Sequence, residues 1–406
     1  MKNISDRQRD LLSIVRGLDI SPTLYENAVE KYRALGDFLS TKGLEAVIYP
    51  QGSFALGTVV RPNVEDPAAC YDLDFICQVK GSKTDYTPSG LRKQVEDILR
   101  SDKTYASRLT VNDKCFTISY ADVNEIGFSI DIVPATDETF QNKARLSQKS
   151  DAPDLIDTSI SIPSCNDDHS FQWITNNPKG LRRWFENRNA PFLSAAKETE
   201  RLRILSESRS VYASVEAIPS DLVHSALQRV IQILKYHRNR YYATLSFGDD
   251  VKPISAILNV IAAKIAEHYN PNCTVFELLE HVLSELTIYS EYQQTTAAAF
   301  SKKHGDRTVF SRPAGKWTIQ NPANPDDNLA DRWNLDDRIP TYFFRWVNSA
   351  QLDLIDHLRQ QDDIQFRAIL ENSFGDNTVN RLLGRKYKNA PVREINSETA
   401  PRPYMI

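Results

Sequence analysis

Three aspartates in two short apolar segments are the residues of this sequence best suited to metal chemistry. Asp72 and Asp74 alternate with apolar residues in YDLDFICQV, and Asp131 lies in FSIDIVPA. Both segments have the composition of strands, so Asp72 and Asp74 are expected on one face of a sheet. Carboxylates buried together repel one another and lose hydration unless a cation compensates them. We therefore interpret the three aspartates as catalytic ligands of divalent cations.

Carboxylate oxygens select hard cations, and Mg²⁺ bound together with substrate phosphates is the expected case. Two such ions can hold the attacking and leaving oxygens of an in-line displacement at phosphorus. The pattern thus predicts a site for two Mg²⁺ ions, with Mn²⁺ as an alternative metal. A DxD pair alone is a weak signal, because many exposed strand edges carry one.

A tight connection, Gln51-Gly52-Ser53, follows the apolar run LEAVIY and precedes a short helix predicted from Phe54. Free N–H groups at the start of a helix, with a serine hydroxyl beside them, can bind phosphate. The alternative is a plain turn in which Ser53 caps the helix. The ordered set of strand, Gly-Ser, helix and two aspartate-bearing strands favours nucleotide binding by Gln51, Gly52 and Ser53.

The elements that must position these residues change along the chain, from strands mixed with helices to helices alone. The first half predicts helices over 24–39 and 91–99 and strands over 44–49, 73–79, 109–111, 115–120 and 127–134. Residues 151–177, rich in Asp, Ser, Pro and Asn, are predicted to form a loop-like connection. The second half predicts helices over 222–241, 254–268, 275–292 and 328–348. The fold class is therefore α+β.

Taken together, the Gly-Ser connection, the DxD pair and the third aspartate resemble the signature of the polymerase-β-like nucleotidyltransferases. In the second half, LQRVIQILKYHRNRYY resembles the helix in which a lysine, here Lys235, reaches the triphosphate. The segment KPISAIL places Ser255 at the position of a serine that helps to hold the phosphates. The stretch IQNPANPDDNLADRW, with Asn328, resembles one shared by oligoadenylate synthases and their bacterial relatives. The combination is similar to the bacterial cGAS/DncV-like nucleotidyltransferases.

This resemblance implies a bilobal polymerase-β-like fold with a mixed-sheet palm, a helical C-terminal lobe and a cleft between them. We predict a palm with an N-terminal spine helix over 1–210, an oligoadenylate-synthase-like lobe over 211–389 and a flexible tail over 390–406. Eighteen residues, Phe54 to Tyr71, separate Ser53 from Asp72, a longer spacing than is usual in the family. We predict that the extra length forms a solvent loop in RPNVEDPA.

The resemblance also implies nucleotide-binding roles for three residues of the second lobe, Lys235, Ser255 and Asn328. Lys235 would neutralise charge on the phosphates, although a solvated helix lysine is the alternative. Ser255 would help to hold them, although it could simply begin a helix. Apart from the resemblance, Asn176 and Asn177 can offer a donor and an acceptor to a base edge, or act as turn residues before Pro178, and Asn177 is predicted to bind nucleotide. Asn328 is included through the stretch in which it lies.

The implied reaction transfers a nucleotidyl group from a nucleoside triphosphate to a ribose hydroxyl, releases pyrophosphate and repeats with ring closure. The product would be a cyclic di- or trinucleotide second messenger of bacterial anti-phage (CBASS) signalling that activates a separate effector protein. ATP is the expected substrate, with GTP, UTP and CTP as further candidates. Two alternatives stay open: a nucleotidyltransferase acting on a protein or an RNA end, and a nucleotide-sensing module without catalysis.

Composition argues against a duplex DNA sensor. Lys and Arg total 49 against 53 Asp and Glu, giving a net charge of -4, whereas proteins that grip duplex phosphates usually carry a basic excess. The five cysteines form no CxxC pair or His cluster, so the zinc insertion of the animal DNA sensor has no counterpart. We predict no activation by duplex DNA, and control instead by a regulatory protein or small ligand at the C-terminal tail.

The sequence also predicts a cytoplasmic protein without a membrane segment. Its longest apolar stretch, 254–265, is interrupted by Asn259 and Lys264 and is too short to cross a bilayer. The N-terminus, MKNISDRQRDLL, lacks the apolar run and cleavage site of a secretory signal. Scattered cysteines fit reduced thiols in a cytosol.

Overall fold

The computed structural model describes residues 4–17, 19, 22–60, 70–123, 126–166, 168–208, 223–359 and 362–388. The predicted solvent loop in RPNVEDPA and the predicted tail over 390–406 lie outside the described residues. Within the described part, strands are confined to the first half of the chain and the second half is helical.

One mixed sheet of seven strands forms the palm. The strands are β1 (Ala46–Pro50), β2 (Cys70–Ser82), β3 (Leu109–Val111), β4 (Phe116–Val123), β5 (Ile126–Asp137), β6 (Ile160–Cys165) and β7 (Phe171–Asn176). Their order is β1-β2-β5-β4-β3, with β6 paired to β5 and β7 to β6. β2 and β5 run parallel, and the other neighbours are antiparallel.

Fifteen α-helices accompany the sheet in the described chain. In the first half they are α1 (Ile4–Arg16), α2 (Pro22–Thr41), α3 (Gly52–Ala55), α4 (Pro88–Arg100), α5 (Lys103–Ala106), α6 (Phe140–Lys149) and α7 (Pro178–Ser208). In the second half they are α8 (Ala226–Ala243), α9 (Gly248–Val251), α10 (Ser255–Ala266), α11 (Val275–Ser290), α12 (Ala297–His304), α13 (Arg338–Gln351), α14 (Asp363–Phe374) and α15 (Asp376–Leu383). None of the described helices is long and apolar enough to cross a membrane.

Two of the central helices begin at capping boxes. The Ser225 side chain accepts from the N–H of Gln228, whose side chain accepts in turn from the N–H of Ser225, at the start of α8. Thr274 and Glu277 make the same reciprocal pair at the start of α11. Such pairs satisfy N–H groups that a helix start leaves open. The start of α8 matters for the site, because this helix carries Lys235.

Each lobe has its own apolar core. In the palm, α2 and α4 cover one face of the sheet, where Phe75, Phe116 and Ile132 are fully buried. In the helical lobe, α8, α10, α11 and α13 pack together around residues such as Leu234 and Trp346. The opposite face of the sheet carries only a small apolar cluster. That face is therefore available for polar residues.

The predicted α+β bilobal fold is confirmed, but the prediction of a loop-like connection over 151–177 is wrong. This segment contains β6 and β7. Their polar composition is explained by the buried Glu138, whose Oε2 accepts hydrogen bonds from Ser161 Oγ and Thr175 Oγ1, both at 2.8 Å. Lys83 pairs with Oε1 at 2.6 Å. Polar residues can be buried in strands where they are hydrogen-bonded in this way.

The helix predicted over 328–348 begins ten residues later than expected, at Arg338. The preceding chain is held by two isolated bridges, Ser311 with Thr318 and Gln320 with Asn328. A short 3₁₀ helix, Asp331–Asn334, follows. Local hydrogen bonds by Asn and Asp side chains compete with helix formation in such stretches, which explains the later start.

Candidate active site

The parallel pairing of β2 with β5 brings two of the predicted aspartates together. Asp74 on β2 is the register partner of Asp131 on β5, and both side chains are half-buried. Asp72 occupies the register position opposite Ser129, and its side chain lies outside the described part of the structure. Strands distant in sequence thus place two carboxylates side by side on one face of the sheet.

The Asp131 carboxylate is oriented by neighbours on the β4 side. Thr117 Oγ1, on the residue paired with Asp131, donates to Oδ1 at 2.5 Å. Asn112 Nδ2 donates to Thr117 Oγ1 at 2.7 Å, and the Cys115 thiol donates to Oδ2 of Asp131 at 3.6 Å. Burial, with the Asp131 charge, raises the pKa of Cys115, so the thiol keeps its proton. Such outer partners fix the direction in which a ligand carboxylate points.

The Gly-Ser turn packs directly on Asp74. The Gln51 N–H donates to the backbone carbonyl of Asp74 at 2.8 Å, and the Thr58 N–H donates to that of Ser53 at 2.9 Å. Gly52 has a φ of +62°, and a Cβ placed on it would fall 2.5 Å from Asp74 Oδ2. Glycine is therefore required here for both its backbone conformation and its lack of a side chain.

A cleft of about 530 Å³ lies between the palm and the helical lobe. The predicted site residues that line it are Gln51, Gly52, Ser53, Asp74, Asp131, Lys235 and Ser255. Asn176, considered from the sequence for base recognition, also lines it, as do polar residues that sequence reasoning did not select: Thr58, Arg182, Arg238, Asn239 and Asn259. The fold thus gathers the turn, two carboxylates and the predicted phosphate-binding residues in one place.

Lys235 is buried in the wall of this cleft, with 2% of its surface exposed. Its Nζ donates to the carbonyl of Thr58 at 3.1 Å and to Thr58 Oγ1 at 2.9 Å. Burial, reinforced by the charge of Arg238 and opposed by that of Asp74, lowers the pKa of Lys235 to about 7. The alternative of a solvated helix lysine is therefore excluded.

Helix α8 holds residues 56–59, which follow the Gly-Ser turn. Three of its side chains, on one face at intervals of four and three residues, donate to backbone carbonyls of that segment. The bonds are Gln228 Nε2 to Leu56 O at 3.0 Å, Gln232 Nε2 to Val59 O at 2.8 Å and Lys235 Nζ to Thr58 O at 3.1 Å. The helical lobe therefore shapes the palm side of the cleft.

Ser255, at the first position of α10, is oriented by a buried arginine. Arg238 Nη1 donates to Ser255 Oγ at 3.3 Å and to the carbonyl of Pro253 at 2.9 Å. Burial lowers the pKa of Arg238 to about 10, which leaves the guanidinium charged at neutral pH. Since Ser255 accepts from Arg238, its own hydroxyl proton remains available to a ligand in the cleft.

Asn177 and Asn328, predicted as nucleotide-binding residues, do not line the cleft. The buried Asn177 donates to the carbonyls of Leu155 and Ala323 and accepts from Thr158 Oγ1. Asn328 accepts from the N–H groups of Ile319 and Ala330 and donates to the carbonyl of Trp317. The hydrogen bonds of both side chains are made within the protein and stabilise turns. The neighbouring Asn176 lines the cleft instead.

The carboxylate oxygens of Asp74 and Asp131, on one face of the sheet, suit a divalent cation. Asp74 and Asp131 supply carboxylate oxygens, the ligand type that Mg²⁺ prefers, from adjacent register positions. Among the described side chains, no group of three His, Cys, Asp or Glu residues could hold a metal ion. The third predicted ligand, Asp72, falls outside that set. The residues present fit a metal, and its identity as Mg²⁺ stays a prediction.

Comparison with known proteins gives a consistent result. Residues 7–189 match the family described as Second Messenger Oligonucleotide or Dinucleotide Synthetase domain. A c-di-GMP synthase of Roseivirga ehrenbergii is 26% identical over 372 residues, covering 90% of this chain and 83% of the relative.

Two solved structures share the fold along nearly the whole chain. The Bradyrhizobium diazoefficiens CD-NTase CdnG, in complex with GTP, superposes with a TM-score of 0.63 at 21% identity and covers 93% of this chain and 98% of its own. A chain of the E. coli MS115-1 CdnC:HORMA-deltaN complex has a TM-score of 0.56 at 14% identity, covering 91% and 96%. At such identities the likeness concerns the fold.

The mixed-sheet palm, the helical lobe and the cleft between them make up the fold of a polymerase-β-like nucleotidyltransferase. More narrowly, residues 7–189 match the Second Messenger Oligonucleotide or Dinucleotide Synthetase domain, and nearly the whole chain is similar to the cGAS/DncV-like nucleotidyltransferases. The resemblance predicted from the sequence is confirmed.

Proposed function

We propose that this protein is a magnesium-dependent synthase that joins nucleoside triphosphates into a cyclic di- or trinucleotide second messenger. One observation carries the proposal: Asp74 and Asp131, the Gly-Ser turn and the buried cation Lys235 line a single cleft. Carboxylates for metal and donors for phosphate are the two requirements of nucleotidyl transfer. The name of the Roseivirga relative and the GTP bound to the Bradyrhizobium protein make GTP the first substrate to test, beside ATP.

In the proposed reaction a ribose hydroxyl oxygen bonds to the α-phosphorus of a triphosphate, and the bond to pyrophosphate breaks. Divalent cations held by Asp74 and Asp131 would supply charge neutralisation and make the hydroxyl more acidic. The Gly52 amide, Ser53 and Ser255 would bind the phosphates, and Lys235 would balance the charge of the departing pyrophosphate. A second transfer within the linear intermediate closes the ring.

The biological setting is also a proposal. The product would activate a separate effector protein in bacterial anti-phage signalling, in the cytoplasm. The CdnC:HORMA-deltaN complex of a structural relative supports the idea of a regulatory protein partner. The net charge of -4 supports synthesis without duplex DNA.

The test is incubation of the purified full chain with Mg²⁺ and radiolabelled triphosphates, followed by phosphatase and mass spectrometry. We expect phosphatase-resistant cyclic products from the wild type, none from Asp131→Asn, and no increase when long duplex DNA is added. Label on the protein or on an added RNA end would favour the alternative transferases. Tight nucleotide binding without any product would favour a sensing module and overturn the proposal.

A further inference from the structure

Asn259 is a buried polar residue in the wall of the cleft. We propose that its side-chain amide is a phosphate-binding donor for the bound triphosphate, and that Thr58 is the positioning residue that orients it. This inference deepens the proposed function and rests on it.

The setting of Asn259 argues for a ligand. It lies on α10, four residues after Ser255, so both residues are on one face of the helix and both line the cleft. Only 4% of Asn259 is exposed, and its neighbours Leu258 and Val260 are fully buried. An amide in such surroundings costs folding free energy unless it makes hydrogen bonds.

The hydrogen bonds of the Thr58 hydroxyl determine which way the Asn259 side-chain amide points. The charged form of Lys235, the form that complements a phosphate, can only donate, so Thr58 Oγ1 accepts its hydrogen bond at 2.9 Å. The single hydroxyl proton of Thr58 is then donated to Asn259 Oδ1, at 3.4 Å. The amide oxygen of Asn259 is therefore turned towards Thr58. The Nδ2 donor has no hydrogen-bond partner among the described residues.

The same arrangement occurs at Ser255. Its oxygen accepts from the buried Arg238, which leaves its proton for a ligand. The helical wall of the cleft thus presents two oriented donors, from Ser255 and Asn259, with the cations Lys235 and Arg238 behind them. A wall made of donors and cations complements an anion, and a triphosphate is the anion that the proposed reaction uses.

The decisive variant is Asn259→Asp, which keeps the shape and the acceptor for Thr58 but replaces the donor by a negative charge. Triphosphate affinity is measured without metal, by displacement of a fluorescent nucleotide, and KM and kcat are measured with Mg²⁺. We expect Asn259→Asp to weaken triphosphate affinity by about tenfold or more. The affinity for a nucleoside monophosphate should fall less, because this ligand offers fewer phosphate oxygens.

Asn189 provides a matched control. It is 5% exposed, its Oδ1 accepts from Ser225 Oγ at 2.5 Å, and it does not line the cleft. We expect Asn189→Asp to leave nucleotide affinity and KM unchanged. For the positioning role, Thr58→Val should raise KM more than it lowers kcat, and Thr58→Ser should restore KM.

A folded Asn259→Asp variant that binds triphosphate like the wild type would overturn the proposal. If circular dichroism shows that this variant is unfolded, Asn259→Ala takes its place, with a loss of about threefold or more expected and unchanged affinity overturning the proposal. Because binding is measured without turnover, the result is separate from the proposed function. A wild type that binds triphosphate through Asn259 but makes no product would contradict only the latter.

Discussion

Gly52 lies directly against the Asp74 carboxylate: a Cβ atom added to Gly52 would fall 2.5 Å from Oδ2 of Asp74, too close for any side chain. The turn expected to bind phosphate and the carboxylate expected to bind metal therefore share one surface. A phosphate on the turn would lie next to a cation on Asp74, which is the neighbourhood that phosphoryl transfer needs.

The contact predicts that Gly52→Ala greatly reduces synthesis. The added methyl group displaces the Asp74 carboxylate, and the φ of +62° adds backbone strain. We expect kcat to fall about 100-fold or more, because misplacement near the reacting atoms costs at least that much. Initial rates with saturating triphosphate test this. Gly43→Ala is the control, since Gly43 has a φ of +80° but open space around it; similar loss in both variants would attribute the effect to strain.

Neutralising either described aspartate should abolish product while leaving the fold intact. Asp74→Asn and Asp131→Asn each remove a metal ligand but also remove repulsion between neighbouring carboxylates, so stability without metal should not fall. Thermal unfolding with and without Mn²⁺ provides the measurement. We expect the metal-dependent rise in melting temperature of the wild type to shrink in both variants. A variant with normal turnover would contradict the metal assignment.

The lowered pKa of Lys235 predicts a pH-dependent affinity. A bound polyphosphate raises this pKa again, so above about pH 7 nucleotide binding must take up a proton. Triphosphate affinity should therefore weaken as the pH rises from 7 to 9 and be nearly constant below 7. Calorimetry in buffers of different ionisation enthalpy measures the proton uptake. Lys235→Met should bind more weakly at pH 7 and lose this uptake; equal uptake in both would assign it to another group.

The same pKa has a consequence for folding. In the unfolded chain Lys235 regains its ordinary pKa, so between about pH 7 and 10 the unfolded state binds more protons than the folded state. The contribution of this residue to the free energy of unfolding thus increases with pH across that range. The difference in unfolding free energy between wild type and Lys235→Met, followed over the range in urea, checks the sign.

Asn328 is expected to matter for stability rather than for nucleotide binding. Asn328→Ala leaves the N–H groups of Ile319 and Ala330 without their acceptor, which should lower the free energy of unfolding by about 2 kcal/mol or more. Urea denaturation measures this loss. KM for triphosphate should stay within about twofold of the wild type, since Asn328 does not line the cleft. A large rise in KM with unchanged stability would restore the original prediction of nucleotide binding.

Local patterns were sufficient for β1 to β5 of the palm and for the Gly-Ser turn, but not for β6 and β7. Apolar alternation identified β2 and β5, and Gly-Ser between a strand and a helix identified the turn beside Asp74. These features depend on neighbouring residues in the sequence. The direct pairing of Asp74 with Asp131 was not predicted, because strand order and register depend on contacts between residues far apart in sequence.

The polar wall of the helical lobe could not be predicted in the same way. The contacts of Thr58 with Lys235 and Asn259 join residues far apart in sequence and require the two lobes to dock. One signal was present: Asn259 and Lys264 are the only polar residues in the apolar run from 256 to 266. A single polar residue in a buried helix is often a partner for something that crosses the core.

The three side chains by which α8 holds residues 56–59 limit how this enzyme can be divided or recombined. A palm expressed without its helical lobe would keep the core between its sheet and α2 and α4, yet three carbonyls beside the catalytic turn would lose their donors. Chimaeras that exchange helical lobes between relatives will therefore keep a formed turn only where Gln, Gln and Lys, or side chains of equal reach, recur at positions 228, 232 and 235. The two lobes therefore cannot be exchanged independently at the point where one ends and the other begins along the chain.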